Sequence, residues 1–247
     1  MSNYLRGEIY RVLHKKSLYI FIGIVAVGYI LLALVRLGSM ETDKVLSDAE
    51  SLFFLLPAVI GGFLFATLYT DDLNSKNLTM LIGFGIGKAK IVFSKFILMG
   101  LFSGIIFGLT PLFMSGVYTV LGHPPSAATI GVVYAWALKI FLTTLVFAAL
   151  SAIVVYGLQR PTFGMVAYLL LTLNVVGQLL VLVLSIKPLS DLAPHLSDHL
   201  VSSVLGKILG GMLDGTAMGG PLVEYLLYLA LALVASVVAF RKKELEF

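Results

Sequence analysis

At 247 residues the chain has room for one or two ordinary soluble domains, but 59% of its residues are hydrophobic and only 12% are charged. A soluble domain carries about 25% charged residues, so composition points to an all-α, polytopic membrane protein whose apolar runs of about 20 residues match a hydrocarbon core roughly 30 Å thick. The runs do not alternate, which excludes a β-barrel. The lack of cysteine excludes disulfides and thiolate chemistry, and the net charge of +4 reads as topology signals, with no nucleic-acid partner.

Residues 1–17 are expected to form an amphipathic interfacial helix. Leu5, Ile9, Val12 and Leu13 share one face, and Arg6, Arg11, Lys15 and Lys16 point toward headgroups. The run that follows is too long for the core of a signal peptide. Six spans are expected, at about 18–37, 51–70, 96–121, 129–156, 163–186 and 221–240. The second contains Pro57 and the Gly61–Gly62 pair. Pro111 is expected to kink the third. A loop with four acids (Glu41, Asp43, Asp48, Glu50) joins the first two, and tight joints at His123–Pro125 and Gln159–Pro161 flank the fourth.

Residues 71–95, DDLNSKNLTMLIGFGIGKAKIVFSK, form the one long polar interruption that also carries a helix, a glycine cluster and four lysines. The segment 187–220 is the opposite case. Leu196, Leu200, Val204, Ile208 and Met212 recur every fourth residue, which predicts an amphipathic helix of four to five turns between the last two spans. Twelve basic residues fall on the side of the termini and the 71–95 stretch, against four on the other side. Positive-inside reasoning therefore places both termini and that stretch in the cytoplasm.

Few groups are candidates for chemistry. Gly83 to Lys88 has the look of a phosphate loop but lacks its glycine (Ile82 stands there) and its Ser/Thr (Ala89), so no nucleotide site is expected on this chain. It reads instead as a turn between helices. His195 and His199 have metal-compatible spacing, with Asp191 and Asp198 nearby, yet they read as a solvated helix face. Lys139, roughly 14 Å into the fourth span, either snorkels to the interface or faces a translocation path, with Glu224 as candidate partner. No catalytic arrangement is found and no metal site is expected.

The 71–95 stretch carries a resemblance. Asp71 and Asp72 leave the second span, Asn77-Leu-Thr-Met-Leu-Ile82 follows, and a Gly-Ile-Gly turn (Gly85 to Gly87) leads into a basic helix with Lys88, Lys90 and Lys95. This resembles the cytoplasmic coupling segment of ABC-2 type transporter permeases. Lys76-Asn77-Leu78 stands where that family has a Gly-Thr-Leu-like opening, and Gly87-Lys88 where it has Ser-Arg. The resemblance implies the membrane subunit of a bacterial exporter in the cytoplasmic membrane. It would pair with a second, identical or homologous permease and with two copies of a separate ABC ATPase. ATP and magnesium would sit on that partner, with no cofactor here.

On that reading Asp71, Asp72, Lys76, Asn77, Leu78, Met80, Leu81, Ile82 and Lys88 form the coupling site. Leu78, Leu81 and Ile82 are its apolar contact, and the 187–220 helices are an outer gate. The substrate expected is an amphipathic or hydrophobic peptide or drug. The alternatives are an ion-gradient carrier, whose only relay would be Lys139 with Glu224, and a non-transport membrane scaffold or sensor.

Overall fold

The computed structural model describes residues 2–35, 53–70, 77–187 and 195–242. Asp71, Asp72 and Lys76, the acidic loop, Asp191 and the tail beyond Lys242 lie outside the described residues. Every regular element among those described is helical. In chain order these are α1 (Ser2–Leu13), α2 (Lys16–Val35), α3 (Phe53–Thr70), α4 (Asn77–Gly83), α5 (Lys88–Val120), α6 (Ala127–Leu158), α7 (Pro161–Thr172) and α8 (Val175–Leu184). A 3-10 turn (Leu196–His199), α9 (Val201–Asp214) and α10 (Gly219–Lys242) complete them. Five of these, α2, α3, α5, α6 and α10, are long and apolar enough to cross a membrane, which makes this a helical protein of the multi-pass membrane class.

The expected fifth span is not one rod. It is two helices, α7 and α8, bent by 63° at Leu173–Asn174. At 1.5 Å per residue neither half exceeds about 18 Å, too short to cross alone. The break sits on Asn174, whose φ of 59° is left-handed. Asparagine is one of the few non-glycine residues that tolerates this conformation. The third span also differs from expectation. With Gly87 as its extended N-cap, α5 starts at Lys88, eight residues early, and runs unbroken through Pro111 for 33 residues, about 50 Å.

α3 and α6 form the buried centre, and α2 and α10 are the most peripheral spans. α3 is irregular. Two π-helical stretches, Pro57–Gly61 and Ala66–Thr70, flank a single α turn at Gly62–Phe65. The glycine pair lies where α7 comes closest: a Cβ on Gly61 would stand 2.0 Å from the Tyr168 hydroxyl and 3.0 Å from Thr144. That hydroxyl donates to the Pro57 carbonyl at 2.8 Å. α10 is fastened to α6 by Tyr225 Oη donating to Leu142 O (3.1 Å) and Ser236 Oγ donating to Ala149 O (3.2 Å). Each satisfies a polar group in an otherwise apolar seam.

Contacts sort the helix ends into two sets. α1, α4, the start of α5 and the ends of α3, α6 and α10 gather at one end, joined by the Glu8–Lys95 ion pair and by Tyr69, Tyr156 and Phe240. The starts of α3, α6 and α10, with α9, gather at the other. The apolar stripe expected over 196–212 starts later than its periodicity suggests. Leu200 is extended and Leu196 is exposed, while Val204, Leu205, Ile208 and Leu209 are buried against α6 and α10.

Candidate functional site

α4 is a seven-residue helix between two candidate spans. Its end is built by a glycine. Gly85 has φ +80°, its N–H donates to Ile82 O, and Ile86 N–H donates to Leu81 O. This is the Schellman closure, and the Leu81 and Ile86 side chains both pack on the core. The turn then delivers the chain to Gly87 and α5.

The exposed face of α4 is not the one the sequence suggested. Leu78 is 2% exposed and belongs to this chain's own core, and Leu81 and Ile82 are half-buried against that core. Met80 at 60% and Phe84 at 82% stand outward instead. Asn77 opens the helix. Lys88, the first residue of α5, sits with its ammonium 5.4 Å from the centre of the Phe240 ring near the end of α10. A chain of ring contacts continues from Phe240 to Tyr156, Tyr69, Phe65 and Tyr168, so α10, α6, α3 and α7 share one aromatic seam.

Between α1 and α5 lies a pair that sequence reasoning missed. Lys95 is 1% exposed, and its Nζ donates to Glu8 Oε2 at 2.6 Å. Arg11 Nη2 reaches the same oxygen at 2.8 Å. Burial alone would raise the Glu8 pKa, but the two cations outweigh it and hold the carboxyl below its usual value. Leu5, Ile9 and Val12 of α1 pack on the same core, so α1 is bound to the first turns of α5 by both charge and packing. Arg11 is turned inward to Glu8, not outward as expected, and Leu13 is exposed. Glu8 alone in the first 17 residues carries negative charge. That isolation, amid four basic residues, was the available signal.

At the opposite end, a cavity of about 250 Å³ is lined by Phe53, Pro57, Trp136, Lys139, Phe147 and Asn174, among others. A more open one of about 560 Å³ adjoins it along α8, and Asn174 and Ser202 line both. Lys139 Nζ lies 4.6 Å from the centre of the Trp136 ring, a cation–π distance. Glu224 and Lys139 are not brought together as an ion pair. The Glu224 carboxylate is 2.8 Å from His199 Nδ1, which ties the 3-10 turn to α10. The Tyr228 hydroxyl donates to the His199 carbonyl beside it. His195 approaches Asp198 at 3.6 Å. No group of three or more His, Cys, Asp or Glu side chains placed to hold a metal occurs among the described residues.

No family model and no curated protein matches this chain.

Proposed function

We propose that the chain is the membrane subunit of an ATP-driven exporter of the ABC-2 type, resident in the bacterial cytoplasmic membrane with both termini in the cytoplasm. Two copies, or one copy and a homologous permease, form the pathway, and two separate ATPase subunits drive it. α1 would rest in the membrane surface, α7 and α8 together would complete a sixth span, and α9 would gate the outer side. The substrate class is amphipathic or hydrophobic.

The observation that supports this reading best is the exposed pair Met80 and Phe84 at the α4 end, backed by the buried Glu8–Lys95 contact. A helix too short to span, lodged on its own core by Leu78 and showing two large apolar side chains, is suited to receive a partner protein. Force applied there would pass into α5 through Gly85–Gly87 and into α1 through Glu8. Asp71, Asp72, Lys76, Asn77 and Lys88 would make its polar rim. Lys139 lines a cavity at the far end, as a translocation path would require.

Affinity purification of the full chain in mild detergent tests it. An ATPase subunit should be retained and should be released by Phe84→Asp, a change in an exposed side chain. Recovery of the chain alone, together with unchanged transport in cells lacking the ATPase, would refute the exporter reading.

A further inference from the structure

The apolar stripe of α1 is taken up by the protein itself. Leu5, Ile9 and Val12 pack on the chain's own core, and Glu8 lies on the same inward side at 9% exposure, held by Lys95 and Arg11. A helix that rests in a bilayer by its apolar face needs that face for lipid, and in α1 it is occupied. What α1 turns outward is a second stripe. Arg6, Tyr10, Leu13 and His14 share one side at helical spacing, and all four are exposed, Tyr10 at 65% and Leu13 at 43%. The Tyr10 and His14 rings stack with their centres 3.8 Å apart, and His14 Nδ1 donates to the Tyr10 carbonyl at 2.9 Å. The two rings are thereby held as one plate on the surface.

The charge on this surface has one sign. Lys16 opens α2 beside the stripe and is exposed. Lys90 near the start of α5, Arg160 in the α6–α7 joint, and Arg241 and Lys242 at the end of α10 are exposed at the same end of the molecule. Among the described residues no exposed carboxylate stands with them. The acid at this end is Glu8, which lies underneath, whereas Asp198, Asp214 and Glu224 belong to the α9 end.

The stripe stands where lipid headgroups would lie. α2 has 20 residues, about 30 Å of helix, which matches the hydrocarbon core, so Lys16 marks its edge and α1 adjoins it. Tyr19 and Ile20, in the first turn or so of α2, are exposed at 59% and 64% and continue the surface into the apolar region. Cations interleaved with tyrosines at that level complement a headgroup with a negative phosphate above and acyl carbons below. A protein partner would cover one patch, whereas these cations lie at the ends of several helices, as a plane of headgroups would meet them. We propose that the outward face of α1 binds the anionic phospholipid headgroups of its leaflet, with Arg6 and Lys16 on the phosphates and Tyr10, Leu13 and the His14 ring among the upper acyl carbons. α1 is then held from both sides, by Glu8–Lys95 to the protein and by its basic stripe to the lipid. This rests on the membrane class of the chain and deepens the placement of α1 at the membrane surface, and it requires no ATPase partner.

The chain has no cysteine, so a full-length Leu13→Cys protein carries one thiol on this face. It is placed in nanodiscs of phosphatidylcholine alone or with about one third phosphatidylglycerol, and its reaction with a neutral, water-soluble maleimide is timed. Thr216→Cys, exposed in the turn between α9 and α10, reports any effect of bilayer charge on thiol reactivity itself. Expected is labelling of Leu13→Cys about tenfold slower with phosphatidylglycerol, as two cations at an anionic surface can produce, against a near-constant rate for Thr216→Cys. Most of that gap should close in about 0.5 M salt, and also when Arg6→Gln and Lys16→Gln are added.

Labelling of Leu13→Cys that is equally slow in both lipids would overturn the headgroup proposal and leave α1 at the membrane surface. Labelling as fast as Thr216→Cys in both would overturn that placement too. A gap that survives Arg6→Gln and Lys16→Gln would also overturn the proposal. Because ATP and an ATPase are absent, failure here leaves the exporter reading standing, and failure of that reading leaves this surface standing.

Discussion

The Glu8–Lys95 contact joins residues 87 positions apart, and it has the sharpest consequences of any single pair in the chain. Glu8→Gln would remove the buried carboxylate charge that Lys95 Nζ and Arg11 Nη2 share, a change expected to cost about 3–5 kcal/mol. Lys95→Met should cost less, because Glu8 keeps the half-exposed Arg11. The double variant should recover part of the loss, which a thermal-unfolding series in detergent would read. The same pair sets a pH dependence. The Glu8 carboxyl is lowered in the folded state relative to its ordinary value of 4.5, so its stabilising contribution is fully present above that pH. It is lost as pH falls through the lowered value, where the unfolded chain already binds the proton. The Glu8→Gln protein should lack this acid-side loss, and identical pH slopes for the two proteins would dismiss the role given to Glu8. The isolated acid at Glu8 was legible in the sequence, but its partner was not. Charge counting treats Lys95 as one more basic marker beside the membrane, and only the folded packing turns it inward onto α1.

At the scale of elements, what the sequence made readable was existence and type. Ser126 caps α6 by accepting from Thr129 N–H at 3.1 Å, and Gly85 and Gly122 close their helices at positive φ, as residue type alone suggests. The breaks inside apolar runs were not readable. One asparagine among leucines and valines has the same hydropathy signature whether it is a hydrogen-bonded guest or, as at Asn174, the corner between two helices. The π-helical stretches of α3 have no composition signal beyond Pro57 and the glycine pair. The Gly61 contact can be tested as an element-level joint. Gly61→Ala would drive a methyl into the Tyr168 hydroxyl and should cost about 1–3 kcal/mol through overpacking. Tyr168→Phe should cost about 0.5–1.5 kcal/mol through the lost bond to Pro57 O. The two should be strongly non-additive, since removing the hydroxyl also makes room for the methyl. Simple additivity in unfolding midpoints would mean that the two helices do not lock there. For α4, the structure replaces Leu81 with Phe84 as the informative position. Phe84→Asp should leave stability within about 0.5 kcal/mol, as an exposed substitution does, while Leu78→Asp should disrupt the local core.

For the molecule as a whole, the two sets of helix ends make a prediction about sidedness that charge counting reached by another route. Ring and ion-pair contacts place α1, α4 and the end of α10 together, and α9 with the start of α10 opposite. If the apolar helices cross a bilayer, α4 and the turn after α9 must therefore lie on different sides of it. In the proposed orientation, which rests on the count of basic residues, the α4 side faces the cytoplasm. The sequence contains no cysteine, so single cysteines report cleanly. Phe84 is exposed on the α4 side, and Thr216 is exposed in the turn between α9 and α10. In intact cells a membrane-impermeant maleimide should label a Thr216→Cys protein and spare Phe84→Cys, and the latter should become reactive once the membrane is opened. Labelling of both from outside would break the two-ended architecture. Labelling of Phe84→Cys alone would keep the architecture and invert the orientation, placing α4 beyond the reach of any cytoplasmic ATPase.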